Sequence, residues 1–320
     1  MLKKIRNYIG EFRAYNKERK QVENAGIIGR RDRLASRIVR FVHSIEKGLS
    51  IESPRAEFGY EKIQTLYGWI KDYLLLDNSD RTCVYMAADA LAAYCLYHDR
   101  IGVNSDKIKT VKNIAYELAQ IKVKDGIFDT YGGTKTLKKE ELVFDKALIK
   151  RLFETRHSIR QFDKKSVSDE LIAEAVKMAQ SAPSACNRQG VRVYISDAQK
   201  FISDYGQNLS GVGGFIENCD KVLVISGKIS VYEESEYKQF IVSAAIFAGY
   251  LSLALHSLGL GACVVQRSLR ADETWVSFCQ KNNIPNDEQV VCLIAVGNVK
   301  DETLVPYSKR FDVETILKRL

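Results

Sequence analysis

No CxxC pair occurs anywhere in the sequence. The seven cysteines, Cys83, Cys95, Cys186, Cys219, Cys263, Cys279 and Cys292, are scattered and odd in number. That pattern excludes a disulfide framework and a zinc ribbon, and it predicts reduced thiols in a cytoplasmic protein. The four histidines, His43, His98, His157 and His256, have no metal-ligand spacing. The opening residues MLKKIRNYIGEFRAYNKERK lack the apolar stretch of a secretory leader. Internal repeats and low-complexity tracts are absent, as are DNA- and RNA-binding motifs. Charge is missing from one long stretch: residues 240–265, FIVSAAIFAGYLSLALHSLGLGACVV, contain no Asp, Glu, Lys or Arg. About 20 apolar residues can cross a bilayer. The serines, His256 and the Gly259–Gly261 break argue instead for a helix apolar all round that ends at Gly259. Such a helix is covered by protein, in a core or a subunit interface, and a short buried strand follows it.

The charge that is present is uneven. Residues 1–40 hold twelve Lys and Arg against four Asp and Glu, so the other 280 residues carry 36 of each sign and are neutral. Two readings of this arm stay open: a solvated basic helical arm, or a contact for an anionic surface such as a membrane or an acidic polymer. Nucleic acid ranks last, for want of any motif.

At 320 residues the chain is long enough for one large domain or two ordinary ones. Residues 1–125 read as helices. Leu34, Ile38, Phe41, Val42 and Ile45 recur at helical spacing, with Gly48 as a stop. Pro54 then stands near the start of a helix carrying Ile63, Leu66, Tyr67, Ile70 and Leu74. CVYMAADALAAYCLYHDR is rich in small residues suited to close packing. Residues 126–147 mix Gly, Thr and charge and read as a linker. Beyond it the pattern changes. Ser168 can cap a helix that Pro183 ends. VRVYIS, DKVLVIS and QVVCLIAVGNV read as strands, and a long helix over 234–258 lies among them. The expectation is an all-α domain with a basic arm over 1–145 and an α+β domain, a small sheet wrapped by helices, over 146–320.

Four short pieces can carry chemistry. In RHSIRQFD, Arg156 and Arg160 flank Ser158, with His157 between, and a guanidinium fork suits phosphate oxygens. In SAPSACNRQG, Ser184, Asn187 and Gln189 present a hydroxyl and two amides on a loop, groups that match the alternating edges of a heterocycle. In LGLGACVVQR, two glycines let a backbone approach a flat ligand. In PYSKRFDVETIL, Ser308, Lys309 and Arg310 precede an amphipathic stretch. Each alone is also what an ordinary helix end or turn contains.

Together and in this order, over residues 148–320, they resemble the nitroreductase family. Arg156, Ser158, Arg160 and Phe162 match its Arg-X-Ser-X-Arg/Lys-X-Phe element. Ala182, Pro183, Ser184, Asn187 and Gln189 match Ala-Pro-Ser-X-X-Asn-X-Gln, residues 258–261 match Leu-Gly-Leu-Gly, and LIAVGN and Arg310 follow. The resemblance implies a nitroreductase-like α+β fold, an intertwined homodimer and an FMN cofactor at the subunit interface. Arg156, Ser158 and Arg310 would hold the FMN phosphate, with His157 in the same segment and Ser308 beside it. Arg160 would lie beside the ring and ribityl chain. Ser184, Asn187 and Gln189 would contact ribityl and ring, and the main-chain N–H near Gln266 would face N5. NAD(P)H would deliver hydride and a small-molecule acceptor, nitro- or quinone-like or specific to a pathway, would take it up. No catalytic side chain is nominated and no metal is expected. The alternative is a catalytically degenerate flavin fold serving as a dimerisation or binding module. Two departures stand out. Gly190 follows Gln189 where the family commonly has Pro and an aromatic, and Arg267 takes a place often held by Gly. GVGGF is not a dinucleotide fingerprint, because no strand precedes it and no helix follows. In the helical half, His43 and Lys47 share a helix face beside Glu46. They read as helix-end ion pairs packing the two halves together, or as a lid.

Overall fold

The computed structural model describes residues 26–76, 80–205, 213–233, 235–236, 238–266 and 273–320, together with Phe12 and Asn16. The rest of the basic arm before residue 26, and Arg267, lie outside the described residues.

Among the described residues, four helices form the first half: α1 (Gly26–Leu49), α2 (Tyr60–Leu74), α3 (Thr82–Arg100) and α4 (Asp106–Lys124). The expected spacing on α1 is realised, since Leu34, Ile38, Val42 and Ile45 are buried together with Ile63, Leu66 and Ile70 of α2. The small residues of α3 let it sit at the centre, with Ala87, Ala88, Ala90, Leu91 and Tyr94 all buried. Ser105 caps α4 by accepting from the Ile108 amide. Gly48 does not stop α1, which runs one residue further. Its role is close approach: a Cβ there would lie 2.2 Å from the Phe58 ring. The segment read as a linker is partly structural. Lys122 is bound to Asp89 at 2.7 Å and to the Asp129 carbonyl, and the Tyr131 amide donates to Asp89, which pins residues 129–133 onto the helices.

The second half contains α5 (Lys146–Thr155), α6 (Asp169–Ala179), β1 (Val191–Asp197), α7 (Ala198–Tyr205), β2 (Lys221–Lys228), α8 (Gln239–Ser257), β3 (Leu260–Gln266), α9 (Glu273–Lys281), β4 (Glu288–Asn298) and α10 (Val313–Ile316). The sheet is antiparallel throughout, in the order β1-β2-β4-β3. Successive side chains on a strand point to opposite faces. Leu223, Ile225, Ala262, Ile294 and Val296 therefore meet α6 and α8 on one side. Val222, Val224, Cys263, Leu293 and Ala295 meet Phe201 of α7 and Trp275 and Phe278 of α9 on the other. Both faces are covered, which is why the central strands read as unbroken apolar runs.

Among the described helices, α8 is the one long and apolar enough to cross a membrane. One face, including Phe240, Ala244, Phe247, Leu251 and Leu255, is buried in the sheet's core. The opposite face leaves Val242, Ile246 and Tyr250 exposed. The helix starts five residues later than its composition suggests, because residues 229–233, with 235–236, form a separate strap that packs on Gly190 at the start of β1.

The halves meet where α1 crosses this strap. Ser36 donates its hydroxyl to the Val231 carbonyl. Arg37 contacts both carboxylate oxygens of Glu233, at 3.1 and 3.3 Å, and Arg40 reaches the same group at 3.5 Å. Asp32 pairs with Lys228 at 2.5 Å. Two cations of the basic arm are thus already partnered inside the protein. His43 and Glu46 do not join the halves. Glu46 accepts from the Gly133 amide and lies 3.9 Å from His43, wholly within the helical half.

Candidate functional site

Residues 156–163 leave α5 as extended chain and close the free edge of β3. The Ile159 amide donates to the Ala262 carbonyl at 3.0 Å and the Asp163 amide to Asn298 at 2.8 Å, while Phe162 bridges to Val299. Two glycines permit this approach. A Cβ on Gly261 would come within 2.9 Å of Ile159, and one on Gly297 within 2.7 Å of Phe162. The LGLG motif therefore serves the chain's own backbone here. With Phe162 buried as anchor, the segment's polar groups are held in fixed places: Arg156, His157 and Ser158 are half-buried and Arg160 is exposed. The Arg160 guanidinium stacks 5.7 Å from the centre of the Phe215 ring.

The charged side chains of residues 156–160 are all basic, and the segment's one carboxylate, Asp163, lies at its far end. Burial, and then the charges of Arg156 and His157, hold the His256 imidazole below its ordinary pKa. Thr155 Oγ1 meets the His256 ring at 2.8 Å. Burial pushes the Cys263 thiol up, and Arg160, Ser158 and Arg156 partly oppose it. Among the described residues no carboxylate pairs with Arg156, His157, Arg160 or His256. A clustered positive charge with no internal counterion fits a bound anion such as a phosphomonoester. His256 was not singled out as a site residue from sequence, although it is the one histidine in a helix that has no Asp, Glu, Lys or Arg.

The second group lies on the loop feeding β1. Ser184 Oγ accepts from the Gln189 amide at 3.1 Å, the Ser184 carbonyl accepts from the Asn187 amide at 2.9 Å, and Gln189 Nε2 donates to the Asn187 carbonyl at 3.3 Å. Cys186, Asn187 and Gln189 all have left-handed φ, at 52°, 54° and 50°. L-residues avoid that region, so such clusters persist only where surroundings enforce them. Gly190 is now accounted for: a Cβ there would stand 2.7 Å from Val231 of the strap.

The two groups do not converge within one protomer. β1 and β3 are the two outer strands, with two strands between them, so the edges are about 14 Å apart at strand level. Gln266 ends β3, on the side of the first group. Arg310 is exposed on the terminal segment. That segment runs back along residues 156–163, where the Leu304 amide donates to Gln161 at 3.2 Å, and then leaves Tyr307 and Phe311 exposed.

An antiparallel sheet between helical layers, a cationic segment along one edge and an amide-bearing loop at the other define an α+β protein. The family model "Nitroreductase family" matches residues 153–211 and 210–298, and this half of the chain belongs to the nitroreductase family. A protein of Archaeoglobus fulgidus that carries the provisional name NADH dehydrogenase/NAD(P)H nitroreductase is 25% identical over 154 residues, 48% of this chain and 86% of that protein. Among solved structures, an FMN-dependent nitroreductase from Clostridium difficile R20291 shares 24% identity with a TM-score of 0.45, over 53% of this chain and 98% of its own. A nitroreductase from Desulfovibrio desulfuricans solved in complex with FMN shares 18% identity and a TM-score of 0.45, over 56% and 98%.

Proposed function

We propose that the protein is an FMN-dependent oxidoreductase that acts as a homodimer, taking hydride from NAD(P)H and passing it to a small-molecule acceptor. The observation that carries this reading is the edge cluster of Arg156, His157, Ser158 and Arg160, rigidly mounted and without a carboxylate, in the segment that matches the family.

FMN, when bound, supplies the hydride chemistry. The chain's part is to hold and orient it. Arg156 and Ser158 would grip the phosphate, with His157 beside them and Arg310 arriving on the terminal arm. Arg160, steadied on Phe215, would neutralise charge beside the ribityl chain. Asn187 and Gln189 would hydrogen-bond the ring edges, and the Gln266 main chain would face N5. Since these groups occupy opposite edges of the sheet, a second copy would complete each site. The exposed apolar face of α8, with Leu148, Ile149 and Phe153 of α5, is a surface of the kind a partner covers. An organisation in two units meeting near residue 145, and a cytoplasmic location in keeping with an odd number of scattered cysteines, belong to the same reading.

The test is the absorption spectrum of the purified protein, followed by anaerobic NADH or NADPH. A flavin band near one per protomer that bleaches on reduction is expected. A colourless dimer that cannot be reconstituted with FMN refutes the enzyme and leaves a binding module.

A further inference from the structure

The candidate flavin-contact loop is built around a buried cation, Arg188, which lies between its two amides. Its side chain is 1% exposed. Nε donates to the Ala185 carbonyl at 3.0 Å, inside the loop. Nη1 and Nη2 each reach a Glu236 oxygen at 2.6 Å, and Nη1 also reaches the Val231 carbonyl at 3.3 Å. The guanidinium lies 4.6 Å from the centre of the Tyr232 ring. Through these contacts Arg188 ties the strained loop to the strap.

The strap is in turn held by the helical half. The Val231 carbonyl that Arg188 contacts also accepts from Ser36 of α1. Glu233, gripped by Arg37 and Arg40, donates its amide to the same Glu236 carboxylate at 2.9 Å. The Lys228 amide donates to the Gly190 carbonyl at 2.7 Å, and its ammonium pairs with Asp32. A continuous chain of polar contacts therefore runs from α1, through Val231, Glu233 and Glu236, to Arg188 and the left-handed residues on either side of it.

We propose that Arg188 is a positioning residue through which the helical N-terminal half sets the conformation of the Ser184–Gln189 loop, and hence the fit of the flavin ring. This rests on the FMN reading for its consequence, though the coupling itself does not. A planar fork is needed, because one group must serve a loop carbonyl, a strap carbonyl and a bidentate carboxylate together. The departure at Gly190 then has a cause: it makes room for the strap, and the strap carries the contact to α1.

The experiment compares Arg37→Ala and Arg188→Lys in the full chain with a control, Arg81→Ala. Arg81 pairs with Asp125 at 2.9 Å inside the helical half and is exposed to a similar degree as Arg37, 36% against 34%. Two readouts are taken: hydrogen exchange at the Gln189 amide without ligand, and FMN Kd with the absorption envelope of bound FMN. Coupling of this kind predicts exchange faster by about two- to thirtyfold in Arg37→Ala, more in Arg188→Lys, and a matching rise in Kd with an altered envelope. Arg81→Ala is expected to lower the melting midpoint without moving either readout. Exchange unchanged in both test variants, or raised equally in the control, overturns the proposal. If the unmodified protein binds no FMN but exchange responds as expected, the flavin reading fails and the coupling stands.

Discussion

Removing Arg156 separates a binding role from a structural one. Arg156→Ala deletes a half-buried guanidinium that has no carboxylate partner among the described residues and that disfavours protonation of the neighbouring His256. Nothing favourable within the protein is lost, so the unliganded melting midpoint should stay within about 2 °C of the unmodified protein, the range of ordinary surface changes. The bound phosphate does lose a charge-assisted fork worth about 1.5–3 kcal/mol, which weakens FMN binding by roughly ten- to hundredfold. The sign on His256 follows. Its depressed folded pKa means that the neutral ring is favoured, so its contribution to stability is present above the ordinary histidine range and lost as pH falls through it. Arg156→Ala should raise the His256 pKa, and FMN binding to the unmodified protein should raise it as well, because a phosphate dianion favours imidazolium. Calorimetric FMN titration, thermal melts and the NMR titration of the His256 ring measure the three effects. An unaltered Kd, or a midpoint that falls with affinity, refutes the assignment of Arg156 to the phosphate.

Three further outcomes are expected. Ile246→Glu places a charge on the exposed apolar face of α8 and should yield monomers without flavin in sedimentation; a flavin-loaded monomer contradicts the interface. Gly190→Ala drives a methyl to 2.7 Å from Val231 and should cost about 1–3 kcal/mol in urea unfolding; adding Val231→Ala should recover part of it, and no recovery would show that the clash lies elsewhere. Glu233 and Glu236 are held below the ordinary carboxylate pKa, first by hydrogen bonds from Arg37 and Arg188 respectively. Their contribution is therefore present above that range and lost as pH falls through it, so urea midpoints should drop on acidification less steeply in Glu236→Gln than in the unmodified protein.

What could be read from sequence was what depends on near neighbours. Leu34, Ile38, Val42 and Ile45 declare their helix by spacing alone, and Ser168 declares its cap. β1 was visible by its alternation, and β2 and β4 because both faces of the sheet are covered there, so nearly every residue had to be apolar. The cationic and amide motifs were visible as residue types in order, but not their separation, since strand order is set by contacts distant in sequence. Gly48 and the LGLG glycines read as stops and ligand clearances; in three dimensions Gly48 admits Phe58, and Gly261 admits Ile159. Arg188 and the strap were hidden for the same reason. A charged residue between two amides looks solvated until Glu236, 48 positions on, is seen to close over it.

The edge-to-edge separation makes one more demand that a single-copy site cannot meet. If each flavin takes its phosphate contacts from one protomer and its ring-edge contacts from the Ser184–Gln189 loop of another, defects in the two groups must complement. Arg156→Ala homodimers and Gln189→Ala homodimers each carry two damaged sites. A mixed dimer of the two variants has one site bearing both defects and one bearing none. Co-expression with different affinity tags, followed by tandem purification, should therefore give a dimer that retains about one tightly bound FMN per pair of chains at a concentration where both homodimers lose theirs. Each intact site requires the apolar faces of α8 to meet, so Ile246→Glu in either chain should abolish the rescue. A mixed dimer as poor in flavin as its parents would place all the contacts on one chain, and the terminal arm bearing Arg310 would then have to fold back across its own sheet.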